Sequence, residues 1–158
     1  RGMLTGGSTE SERESTQGRI EGLQIGLRIF RENPILGVGV GNFTTYRVRH
    51  VDGIKMDPHN LLGLLLATLG IVGGVTFAGY LIATFVRGRR ERQARKGVLD
   101  PWERAVRSFV GAMMFTLVLL LVSGLAAHNL GRWAWYWAPG LLLAAAQCRL
   151  VLPGKESA

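Results

Sequence analysis

A single cysteine, Cys148, occurs in 158 residues, so no internal disulfide can close the chain. Charge is absent from two long apolar stretches and nearly so from a third. Leu61–Val86 runs for 26 residues without a charged side chain and Phe109–Ala127 for 19, while Trp133–Leu152 is broken only by Gln147 and Arg149. A bilayer's hydrocarbon core takes about 20 apolar residues of helix, so each stretch is long enough to span it. Also missing are the polar stripes at helical spacing that buried helices of a soluble domain would show. These absences exclude an ordinary soluble core and predict an all-α, polytopic integral membrane protein. Residues 1–18 lack an apolar core for a signal peptide. The chain opens on Arg1, and the expectation is the C-terminal part of a longer multi-span protein whose earlier helices precede it.

Acidic residues are scarce, 11 against 19 Lys and Arg, for a formal charge of +8. Placement decides what that means. Eight Lys or Arg against three acids fall in Arg87–Arg107, whereas residues 1–58 hold eight against seven. A short basic loop marks the cytoplasmic side, which leaves residues 1–58 outside and makes a nucleic-acid partner unnecessary. The predicted order is a mobile polar segment (1–18), an extracytoplasmic loop (19–58), a span (59–86), a basic cytoplasmic loop (87–107) and a second span (108–127). An outer turn (128–132), a third span (133–152) and a cytoplasmic tail (153–158) follow. Cys148 then lies toward the cytoplasm, and Trp133–Trp137 (WAWYW) reads as an interfacial aromatic belt.

Within the outer loop, Ile20, Leu23, Leu27 and Phe30 step by 3, 4 and 3 residues. That spacing predicts an amphipathic helix over 19–32 with Arg28 and Arg31 on a basic flank, capped by Ser15 or Thr16 and stopped at Asn33-Pro34. It lies on the membrane or on neighbouring helices. PILGVGVGNF, residues 34–43, lacks the Lys-Ser/Thr of a phosphate-binding loop and reads as a close backbone turn. Residues 44–56 read as a loop carrying Arg47, Arg49, His50 and Lys55. With Asp52, Asp57 and His59 they match no zinc spacing, so neither a metal nor a cofactor is expected.

The first span opens unusually, with Asp57-Pro58-His59-Asn60 at its mouth. Gly70 and Gly74 form a small-residue pair, and His59, Gly63, Leu66, Gly70 and Gly73 advance by 4, 3, 4 and 3 residues, sharing one face. That face is expected to be buried, with Gly63, Gly70, Gly73 and Gly74 packing helices and His59 turned toward protein. At a helix N-terminus an imidazole is kept neutral and suits a general base. Asp57 and Asn60 are placed to orient it. Arg19, Arg28 and Arg31 supply cationic forks for phosphate or pyrophosphate. A base beside a pyrophosphate clamp at a membrane surface suits transfer from a lipid-diphosphate donor. A structural helix-end histidine and headgroup-binding arginines are the plainer alternative.

His59-Asn60, nine residues, Gly70, two residues and Gly73 resemble the signature of the O-antigen ligase and polymerase family. Upstream, GRIEGLQIGLRIFRENPILGVGVGNF resembles the same family's Arg, short helix, Pro and Gly-rich turn, although Leu23 stands where the family often has Trp. The resemblance covers about residues 18–74. It implies a membrane glycosyltransferase that moves a glycan from a polyprenyl diphosphate to an acceptor hydroxyl outside the bacterial cytoplasmic membrane. His59 takes the position of the base and Arg19 that of the diphosphate ligand, with inversion and without a metal. Arg28, Arg31 and Asn60 are further substrate contacts suggested by helix geometry. A polysaccharide polymerase, or a non-catalytic subunit or transporter binding an anionic lipid, fits the same residues. His128, in a tight turn, reads as structural.

Overall fold

A computed structural model describes residues 6–94, 100–126 and 129–151. Five helices are present: α1 (Gly6–Glu32), α2 (Phe43–His50), α3 (Leu61–Ala94), α4 (Pro101–Ala126) and α5 (Ala134–Val151). Among the described residues there is no strand. Among the described residues two helices, α3 and α4, are long and apolar enough to cross a membrane. The third expected span, 133–152, overlaps α5, which is not one of these two. His128 and the tail 153–158 lie outside the described residues.

Several expected boundaries shift. Helix α1 begins at Gly6, so residues 6–18 are helical and Ser15 and Thr16 lie inside it rather than capping it. Glu10, Glu12, Arg13, Glu14 and Gln17 are good helix formers, which the polar composition had masked. Much of the expected basic loop is helical too, because α3 continues to Ala94 and α4 starts at Pro101. Asp100 caps α4 by accepting from the Glu103 amide at 2.7 Å, with Pro101 at the first helical position, where its missing N–H costs nothing.

The chain forms two compact units: residues 1–77 with 121–131, and 78–120 with 132–158. The second is built around Val106, Val110 and Leu142, with Met113, Met114 and Ala145 against them. Pro139 sits inside α5 and cannot donate to the carbonyl of Trp135. The Tyr80 hydroxyl donates to that carbonyl instead, at 2.5 Å. Trp135 is buried, while Trp133, Tyr136 and Trp137 are exposed.

The first unit holds the residues singled out at the mouth of the span. Its core is Ile29, Phe43 and Ala67, with Ile25, Val38, Tyr46, Val51 and Leu64 packed around them. The stripe Ile20, Leu23, Leu27 and Phe30 is not the buried face of α1: Ile20 is exposed and the other three are half-buried. Gly22, Gly26 and Ile29 are the buried positions, because glycine lets the backbone of α3 approach. A Cβ added at Gly26 would stand 2.6 Å from the Gly63 backbone, and one at Gly22 3.1 Å from the His59 amide nitrogen.

Helix α3 is broken at Gly70, whose φ of 62° and ψ of −161° are open to glycine and strained for other residues. The Gly-rich turn fills the break. The amides of Val38 and Gly39 donate to the carbonyls of Ala67 and Thr68, each at 2.9 Å. In return the amides of Ile71 and Val72 donate to the carbonyls of Pro34 and Ile35, at 2.8 and 3.3 Å. An interrupted apolar helix is tolerable only when other backbone satisfies its freed polar groups, as here.

Candidate functional site

Helix α1 runs parallel to the start of α3: Gly22 meets His59, Gly26 meets Gly63, and Ile29 packs with Ala67. The crossing puts the main chain of His59 against α1 one turn beyond Arg19. With about 100° per residue, Arg19 lies roughly 60° around α1 from Gly22, whereas Arg28 and Arg31 lie roughly 120° and 180° away. Arg19 therefore flanks the contact with the His59 segment, and Arg28 and Arg31 lie farther around the helix from it. All three are exposed, and Arg28 pairs with Glu32 at 3.5 Å.

His59 is exposed and precedes the helix, in the bend before Leu61. The expected buried face from His59 to Gly73 does not form, because His59 lies outside α3 and Gly70 interrupts the register. Asn60 is the N-cap of α3: its Oδ1 accepts from the Gly63 amide at 3.0 Å, and its Nδ2 donates to the Leu125 carbonyl at 3.4 Å. It is buried, with its side chain engaged in these two bonds. Asp57 accepts from the Thr44 hydroxyl, which ties the His59 segment to α2. Gly63 packs against Gly22 and Leu23, but Gly70 makes the helix break, and Gly73 and Gly74 face Leu69 and Leu66 of their own helix.

Residues 44–50, read as loop, belong to α2, and its central side chain is Arg47. Only 1% exposed, Arg47 donates through Nε to both Asp52 oxygens at 3.0 Å. Its Nη2 donates to Asp52 Oδ2 at 2.8 Å and to Glu21 Oε1 at 2.5 Å. Bonding to Asp52, opposed by burial and helped by Glu21, holds the guanidinium above its ordinary pKa. In turn Arg47 holds the Asp52 carboxyl below the usual carboxylate range; partial burial opposes the shift and the Ile54 amide supports it. Arg47 thus links α1, through Glu21, to the loop that leads to His59. The signal for it was Phe43, Tyr46 and Arg47 at helical spacing, obscured because one of the three is charged.

Tyr46 donates to Glu32 at 2.9 Å and accepts from Asn33 Nδ2 at 3.1 Å, and its ring lies 4.6 Å from that of His50. Among the described residues no group of three His, Cys, Asp or Glu side chains is gathered as a metal site would need.

These features fall within residues 2–78, which match the family described as O-antigen ligase. The likeness extends over just under half of the 158-residue chain. Comparison with curated proteins and with solved structures returns no match. An O-antigen ligase domain points to a membrane glycosyltransferase-like function and a lipid-linked glycan, in keeping with the apolar helices α3 and α4. The match covers α1, α2, the turn between them and the interrupted first part of α3.

Proposed function

We propose that this chain carries part of the site of a glycosyltransferase that moves a glycan from a polyprenyl diphosphate to an acceptor hydroxyl, at the outer face of the bacterial cytoplasmic membrane. One observation carries the reading: the ligase-family segment contains both Arg19 and His59, and the contact of Gly22 with His59 sets the helix bearing Arg19 against the histidine. His59, as general base, takes the proton from the acceptor hydroxyl as its oxygen attacks the anomeric carbon. The bond from that carbon to the diphosphate breaks on the opposite face, so the configuration inverts. Its electron pair leaves on the diphosphate, where Arg19 offers a bidentate cation. No metal is assigned in this course.

The exposure of His59 suits a base that must reach an incoming acceptor. Glu21, paired with Arg47, lies between Arg19 and Gly22 on α1, so the same network sets the height of Arg19 relative to His59. The test is release of polyprenyl diphosphate from a lipid-linked glycan by the full-length protein in detergent. His59→Ala is expected to bind donor normally and lose nearly all turnover, on the order of 10²-fold or more for a lost general base. Arg19→Ala is expected to weaken donor binding. Turnover by His59→Ala at the rate of the unaltered protein would overturn the base assignment. Donor binding without release of lipid, for every acceptor tried, would favour a lipid-binding subunit.

A further inference from the structure

We propose that the turn 34–41 is a membrane-inserted element: Ile35, Leu36 and Val40 dip among the acyl chains of the leaflet on the His59 side. The hydrocarbon boundary then falls near Gly70 rather than at His59. This inference rests on α3 being a membrane span and is independent of the chemistry assigned to His59.

Length gives the first argument. Helix α3 counts 34 residues across its break at Gly70, against the roughly 20 residues of helix that hydrocarbon takes. Even its uncharged part, Leu61–Val86, has 26 residues. Arg87 fixes one end. Counting back about 20 residues from there reaches Ala67, where the Val38 amide donates to the helix.

The second argument is a sharp change of character along α1 and the turn. Arg28, Arg31 and Glu32 are exposed over the last two turns of α1, which runs beside α3 down to Ala67. Immediately beyond, Ile35, Leu36 and Val40 are 65%, 69% and 77% exposed. A helix tilted far enough to bury all of Leu61–Val86 would carry the three charged side chains into hydrocarbon, at several kcal/mol each. A boundary between Glu32 and Ile35 leaves the charges among headgroups and the apolar side chains below them. Arg28 and Arg31, farther around α1 from the His59 contact, then meet lipid phosphates.

Continuity with the span is the third argument. The bonds from the Ile71 and Val72 amides to Pro34 and Ile35 set the turn beside Ile71, Val72 and Val75, all exposed on α3. The two apolar surfaces join at the break. Every freed backbone group named above is bonded between turn and helix, as non-helical backbone at membrane depth requires.

The experiment uses the full-length protein, in a cysteine-free background, reconstituted into lipid nanodiscs. An environment-sensitive fluorophore is attached in turn to Leu36→Cys, Val40→Cys, Lys55→Cys and Ile82→Cys. Labels at positions 36 and 40 are expected to emit to the blue of the label at 55. They should lose most of their emission to nitroxide placed high on the lipid chain and resist aqueous iodide, whereas the label at 55 shows the reverse. The label at 82, within the span, tests the membrane reading itself. If it is quenched by lipid nitroxide while 36 and 40 are quenched by iodide, or by neither agent, the inserted turn is refuted and the span stands. If 82 is open to iodide, the span fails and the inference fails with it.

Discussion

Arg47 shows how one residue can organise a loop. Buried charge is costly unless paired, and the guanidinium fork meets Asp52 and Glu21 together, which only a planar five-donor group can do. Arg47→Ala would leave two carboxylates without their shared partner. Because both partners keep partial access to water, the expected loss is about 1–3 kcal/mol, seen as a lower melting temperature in detergent. Arg47→Lys should recover little of it. The pH dependence follows from Asp52, whose carboxyl is held below its unfolded value. Its contribution is fully present above about pH 4 and is lost as the pH falls through the lowered folded value. Hydrogen exchange of residues 47–56 should therefore stay slow from pH 5 to 8 and accelerate only in stronger acid. Exchange that rose between pH 7 and 5 would overturn Asp52 as the controlling group.

At the scale of the elements, backbone proximity replaces side-chain packing. α1 and α3 meet through Gly22, Gly26 and Gly63, so a methyl at Gly26 collides with main chain that cannot rotate away. Gly26→Ala is expected to force the helices apart and to lower donor turnover along with stability, since His59 rides on the same contact. Gly70→Ala should be worse still. It strains a left-handed residue and drives a Cβ into the Ile35 carbonyl, breaking the turn's four bonds to α3. Gly79→Ala is the matched control: it meets nothing within 4 Å and should be neutral or slightly stabilising, by under about 1 kcal/mol. Comparable melting temperatures for Gly70→Ala and Gly79→Ala would contradict a structural role for the break.

At the scale of the whole molecule, the charge asymmetry of the chain is an orientation signal. Lys55 lies on the side expected outside and Asp100 on the side expected inside. Cysteines placed at these two positions should react with a membrane-impermeant maleimide in opposite circumstances. Lys55→Cys is expected to label once the outer face of the cytoplasmic membrane is accessible, and Asp100→Cys only after that membrane is opened. Equal labelling before it is opened would reverse or abolish the assigned topology. The same orientation sets the proposed base, the proposed diphosphate ligand and the inserted turn on one side, which lipid-linked transfer needs.

Much of this was legible in the chain itself. Uncharged runs of about the length that crosses hydrocarbon, or more, made α3 and α4 recognisable, because helix is the ordinary way for such a run to satisfy its backbone in lipid. The His-Asn followed by spaced glycines marked the family segment, since those residue types have few substitutes. What composition could not decide was which groups meet. The buried face of α1 is its glycine face, and close approach leaves no hydrophobic periodicity to read. Arg47 looked like a surface cation because its partners lie 26 and 5 residues away. The Gly70 break was hidden within an unbroken apolar run, for the amides and carbonyls that satisfy it come from residues 34–39. Hydrophobicity and length are local sums that a sequence carries. Backbone pairing across 29 and 37 residues exists only once the chain has folded, and backbone contact over such separations is what set α1 against the His59 segment.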